Sequence, residues 1–152
     1  MQSIKILSLT GKVLVCLFLF AINRAEAQRL QKEYINPANG YTQVVAVTSG
    51  KIKTIYISGQ VGEGADLESQ TRSVFVNLKK QLNDAGADFS DVVRMNTYIV
   101  NYHEGLLDQF RAVRKTFLGD KNLPASTLLG VQALARKELL IEIDVTAVVE
   151  IP

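Results

Sequence analysis

Histidine and cysteine occur once each in the 152 residues, proline three times and tryptophan not at all. A single cysteine excludes a disulfide framework and any cysteine-rich zinc site. A single histidine excludes the multi-histidine metal centres. Scarce proline, with no glycine period and no biased tract, excludes collagen-like and low-complexity chains. Charge of one sign is also lacking, with 17 Lys and Arg against 15 Asp and Glu. What is present is a 47% hydrophobic, 21% charged chain, too apolar for wholesale disorder. Its length suits one domain that can fold around its own core.

The first 27 residues read as a secretory signal peptide. Lys5 and Lys12 make a positive start, residues 13–22 (VLVCLFLFAI) are uncharged and apolar, and Ala25, Glu26 and Ala27 form an A-x-A cleavage site. Ten residues rise about 15 Å as a helix, roughly half of a bilayer core, so a cleaved leader fits better than an anchor. Cys16 follows Val15 in the middle of the apolar run, which does not suit lipid attachment. Cleavage leaves a domain at 28–152. Three of the 17 basic and one of the 15 acidic residues lie in the leader (Lys5, Lys12 and Arg24; Glu26), so the mature chain carries 14 of each. It is neutral and free of cysteine, which suits an oxidising compartment, and the expected location is periplasmic or secreted. Such a chain lacks the basic surface that nucleic acid requires, and nothing holds it to a membrane once the leader is gone.

No repeat, linker or charge block divides residues 28–152. A hairpin is expected at 41–58, where β-rich 42–48 and 54–58 flank a turn at 49–51. Gly59, directly after the second strand, marks a bulge or a close backbone approach. Asp66 is a candidate N-cap for a helix over 67–85, with Val74, Leu78, Leu82 and Ala85 in one stripe, Phe75 beside them and Gly86 as the C′ residue. A third strand covers 92–100. A second helix covers 106–118, with Leu106, Phe110, Val113 and Phe117 on one face and Gly119 at its end. The fourth strand is expected at 126–134 after Pro124, and the fifth at 140–149.

The order is therefore ββαβαββ, an α+β fold in which two helices cover one face of a mixed sheet. The last strand turns Ile141, Ile143, Val145, Ala147 and Val149 to one side. Its other side carries Glu142, Asp144 and Thr146 with Leu140 and Val148, too mixed for a core and too apolar for free solvent. An interface between copies, with polar residues lining pockets, is the natural solution.

Several segments then stand in a familiar order: Ile57-Ser58-Gly59-Gln60, Asn77-Leu78, Ala85-Gly86-Ala87, Asp91-Val92-Val93, Pro124-Ala125-Ser126-Thr127, Gly130-Val131 with Leu134-Ala135, and Ile141-Glu142-Ile143-Asp144 with Ala147-Val148. In this order and spacing the mature chain resembles the RidA/YjgF family, the reactive intermediate deaminases also called the L-PSP endoribonuclease family. The resemblance implies a chorismate-mutase-like fold assembled as a homotrimer, with the sheets forming an inner barrel and three clefts between subunits. It also implies hydrolysis of small enamines or imines to carbonyl compounds and ammonia, with no metal and no organic cofactor.

The same resemblance assigns the site. Glu142 matches the family's acidic residue that positions the hydrolytic water, and Ser58 a cleft serine; both are candidate catalytic residues. Equally, Glu142 could be hydrogen-bonded across a subunit interface, and Ser58 could simply end a strand. Tyr41, Gly59, Ser126 and Arg94 are candidate substrate-binding residues, although Tyr41 could also merely pack at a strand start. Ser126 marks a departure. In the deaminating members an arginine directly after Pro-Ala holds the substrate carboxylate through a bidentate pair, which a planar fork suits. Serine offers one hydrogen bond and no charge. Arg94, which shares a strand face with Asn96 and Tyr98, and Arg111 and Arg114 on the second helix are the candidates to replace it. His103 reads as a surface loop residue. No G-x-S-x-G elbow, P-loop or dinucleotide fingerprint is present.

Three functions are open on these grounds. The first is an exported trimeric hydrolase of small imines or enamines. The second is a non-catalytic trimer that binds a small ligand in the same cleft. The third is a ribonuclease, which the neutral charge and expected export disfavour.

Overall fold

Residues 29–152 are described by the computed structural model; the expected leader at 1–27 lies outside them. In chain order the elements are β1 (Gln31–Ala38), β2 (Tyr41–Ser49), β3 (Ile52–Val61), α1 (Leu67–Asp84), a 3₁₀ turn (Phe89–Asp91), β4 (Val92–Val100), α2 (Gly105–Leu118), β5 (Ala125–Val131) and β6 (Ile141–Glu150). The strands form one mixed sheet in the order β1-β2-β3-β6-β4-β5, in which only β4 and β5 run parallel.

Alternation along the strands decides which face is covered. Val44 and Ala46 on β2, Ile55 and Ile57 on β3, Met95 and Ile99 on β4, and Ile141, Ile143, Val145 and Ala147 on β6 are buried together with Val74, Phe75, Leu78 and Leu82 of α1 and Phe110 and Val113 of α2. Both helices thus lie on one face, as the pattern of β6 requires. Phe75 stacks on Phe117 with centroids 5.0 Å apart, and Phe89 meets both rings, so the two helices and the 3₁₀ turn share one aromatic cluster.

The start of α1 is fixed by Asp66, whose carboxylate accepts from Ser69 N at 2.7 Å while Ser69 Oγ accepts from Asp66 N at 3.2 Å. This reciprocal cap satisfies two amides that the helix itself leaves free. Its end is closed by Lys53, which donates to Ala85 O at 2.6 Å, and by Gly86 at φ +77°, a left-handed conformation that glycine adopts without a Cβ penalty.

Three strand boundaries differ from expectation. The ββαβαββ order lacks β1, whose sequence QKEYINPA alternates poorly and contains proline. Its stability comes from outside, through the antiparallel register that runs from Gln31↔Thr48 to Ala38↔Tyr41. Asn36 leaves that ladder at φ +55°, and its amide donates to Gln81 Oε1 at 2.8 Å and Asp84 Oδ2 at 2.6 Å on α1. Asparagine tolerates this conformation, and proline is tolerated on an edge strand. The second expected strand does not end at Ser58: β3 continues to Val61 through a bulge between Ile57 and Gln60. The strand expected at 126–134 stops at Val131, because its parallel partner β4 ends opposite it at Val100.

The face away from the helices carries Tyr34, Tyr41, Tyr56 and Leu129, each more than half exposed. Between these side chains lies a polar band.

Candidate functional site

The bulge in β3 gives Glu142 its position. Three residues of β3 span what two residues of β6 span, from Ile57↔Val145 to Gln60↔Ile143, and the extra residue brings the Gly59 backbone under the Glu142 side chain. A Cβ on Gly59 would lie 2.6 Å from Glu142 Cδ and 2.9 Å from Cγ, inside van der Waals contact. Glycine at 59 is therefore what lets the carboxylate lie across the strand. The bulge and close approach expected from the sequence are both present.

Glu142 is half-buried. Among the described residues no hydrogen bond or ion pair reaches its carboxylate. Burial first, and the charge of Asp144 second, hold its carboxyl above the usual carboxylate range. A carboxylate shielded from water, beside another negative charge and without a partner, is a stronger base than an exposed one.

On the other side of β6 a chain of polar groups crosses three strands. Tyr98 on β4 stands opposite Glu142, and Asn96 opposite Asp144. Asn96 donates to Asp144 Oδ1 at 2.8 Å. Arg94 donates through Nε to Asn96 Oδ1 at 3.2 Å and through Nη2 to Thr127 Oγ1 on β5 at 2.7 Å. Burial, the charge of Asp144, a hydrogen bond to Asp144 and the charge of Glu142 all push the Tyr98 hydroxyl above its ordinary value, with Arg94 opposing them. Arg94, Tyr98, Asp144 and Glu142 are thus within electrostatic reach of one another on one face.

Ser58 and Gly59 lie beside Glu142, and Ser58 Oγ donates to Thr42 O at 2.7 Å. Tyr41, 52% exposed, accepts from Gln43 Nε2 at 3.1 Å. Gln60 Nε2 in turn donates to Gln43 Oε1 at 2.8 Å and Ser58 O at 2.9 Å, which ties Tyr41 to the bulge. Ser126 stands apart. Thr127 bonds to Arg94 on the open face and Leu128 packs toward the core, so Ser126, opposite the buried Met95, is turned to the helix side. Within one chain it does not meet Glu142. His103 is exposed in the loop after β4. Arg111 lies 4.0 Å from Asp108, and Arg114 sits over the Phe110 ring; both are on α2, away from the polar band.

Two members of the cluster, Tyr98 and Asp144, were absent from the residues expected to act. The signal available for them was the i, i+2 spacing of Glu142 and Asp144 and of Asn96 and Tyr98. Their pairing across β4 and β6 depends on strand register, which that spacing does not contain.

Residues 31–149 match the Endoribonuclease L-PSP family. Over 122 residues the chain is 30% identical to a 2-iminobutanoate/2-iminopropanoate deaminase of Dermatophagoides farinae, covering 75% of this chain and 89% of that one. Over 104 residues it is 35% identical to a putative regulator AldR of Lactococcus lactis, covering 63% and 79%. Among solved structures it resembles a YjgF/YER057c/UK114 family member from Mycobacterium tuberculosis, with a TM-score of 0.66 and 28% identity over 78% of this chain and 100% of that one. It also resembles a Rid family protein of unknown function from Yersinia pestis, with a TM-score of 0.59 and 39% identity over 76% and 97%.

Proposed function

The chain belongs to the Endoribonuclease L-PSP family, also called RidA/YjgF, and from that premise we propose that it hydrolyses a small imine or enamine to a carbonyl compound and ammonia. The observation that carries this reading is the unpartnered, half-buried carboxylate of Glu142 lying over Gly59. Water held by Glu142 adds to the carbon of the C=N bond while the carboxylate takes its proton. The nitrogen is protonated, the C–N bond breaks, and ammonia leaves a carbonyl behind. Every atom comes from substrate and water. A carboxyl held above the usual range is suited to this exchange, because it accepts a proton more readily than an exposed carboxylate and can return it. The similarity to a 2-iminobutanoate/2-iminopropanoate deaminase supports the same chemistry.

Ser58 and the Gly59 backbone line the near side of the site, and Tyr41 its rim. Ser126, turned to the helix side, does not line this face within one chain. The exposed Tyr34, Tyr41, Tyr56 and Leu129 on the open face support an assembly of copies through that face, a homotrimer as the family resemblance implies. The leader expected at 1–27 makes the protein exported, to the periplasm or the medium.

The test is ammonia release from freshly generated 2-iminobutyrate. Wild-type protein accelerates it, and Glu142→Gln reduces the rate at least about 100-fold, the lower end of what a positioned general base contributes. No acceleration by the wild-type protein would refute hydrolysis of that substrate. One observation favours a second reading, a non-catalytic ligand-binding assembly: the family's carboxylate-binding arginine is replaced by Ser126. Saturable binding of 2-oxobutyrate without turnover of the imine would establish it.

A further inference from the structure

We propose that Arg94 is the anion anchor of this protein, holding a carboxylate of the ligand on the same face and in the same chain as Glu142; this rests on the open-face site described above. The side of the Arg94 guanidinium formed by Nε and Nη2 is occupied by two neutral oxygens, Asn96 Oδ1 and Thr127 Oγ1. Among the described residues no hydrogen bond reaches Nη1, and no carboxylate forms an ion pair with the guanidinium. A guanidinium fixed on one edge and free on the other is preorganised for a planar, bidentate anion, so little side-chain entropy is lost when one binds.

The placement suits a small acid. Arg94 stands opposite Thr146 and Asn96 opposite Asp144, so the bond to Asn96 draws the Arg94 fork along β4 toward the Glu142 end of the site. Arg94 and Glu142 therefore face the same stretch of the open face, with Asn96 and Asp144 between them. Asp144 accepts from Asn96 and forms no ion pair with Arg94 among the described residues. The favoured ligand is therefore a small acid that reaches from the Arg94 fork to Glu142. Thr127 and Asn96 act as positioning residues for the fork.

Two measurements on the full-length protein, after any processing in the expression host, test the assignment. In the first, 2-oxobutyrate is titrated by calorimetry into wild type, Arg94→Gln and Arg94→Lys. Arg94→Gln weakens binding by about 30-fold or more, the effect of removing one charged hydrogen-bonding partner, and Arg94→Lys, which keeps charge without the fork, falls between. Equal affinities in all three would overturn the proposal whether or not the protein is an enzyme. In the second, kcat/KM is compared for 2-iminobutyrate and its uncharged amide. Arg94→Gln collapses the preference for the acid over the amide, whereas Glu142→Gln lowers both. If Arg94→Gln lowers both in proportion, Arg94 is structural and the anchor assignment fails. If Glu142→Gln retains activity while Arg94→Gln loses the acid preference, the role given to Glu142 fails and the anchor stands.

Discussion

Glu142 carries an energetic cost that the proposed hydrolysis would explain. Its folded-state carboxyl titrates above the ordinary value, through burial first and Asp144 second. The folded chain therefore binds that proton more tightly than the unfolded chain does. Stability tied to it is fully present below the unfolded carboxylate range and is lost as pH rises through the raised folded value. Glu142→Gln is thus expected to be more stable than wild type at pH 7, with the difference vanishing by about pH 3.5, below the unfolded carboxylate value. Urea denaturation at the two pH values measures it. For the proposed hydrolysis, the acid limb of the pH–rate profile is expected to follow the same group and to lie above where an exposed glutamate would place it. At this scale the fold brings some of the residues expected from sequence to one face and not others. Glu142, Ser58, Gly59, Tyr41 and Arg94 share the open face or its bulge, because strand alternation fixes sides within each strand. Whether Ser126 shares that face depends on how β5 registers against β4, and periodicity within one strand carries no such information.

The elements show where local pattern is sufficient and where it is not. Both helices form within a residue or two of the expected limits, since an apolar stripe, a cap and a terminal glycine are all local. The five strands from β2 to β6 have recognisable β-rich or apolar runs. β1 does not, and it persists because β2 pairs with it and α1 receives its Asn36. This contact is open to test. Asn36→Ala removes two side-chain hydrogen bonds and places a Cβ-bearing residue of poor tolerance at φ +55°, so a loss of about 1–3 kcal/mol is expected. Asn36→Gly relieves the backbone but not the lost bonds, and should fall between Ala and wild type in urea unfolding. Equal stability of all three would remove the argument that α1 holds β1 in place.

For the molecule as a whole, a sheet covered by helices on one face only leaves the other to find its own partner. Tyr34, Tyr41, Tyr56 and Leu129 are spread across that face around a hydrogen-bonded polar band. Apolar surface of this kind is ordinarily an interface. Light scattering is expected to give three times the protomer mass. Tyr56→Glu combined with Leu129→Glu, neither of which touches the helix-side core, should shift the mass to that of one chain while far-ultraviolet circular dichroism is retained. A wild-type mass of one protomer would remove the shared-cleft reading. The sequence pattern already showed that the face was too mixed for solvent, but it could not show which side chains the face assembles.

The bulge at Gly59 has a consequence for descent as well as for geometry. Position 59 and position 142 occupy one volume, so the two cannot vary independently. A lineage that keeps an acid at 142 has to keep glycine at 59, and one that gives up the acid is released to place a side chain there. Among relatives of this chain the identity of one residue should therefore report, without an assay, whether the other is still in use.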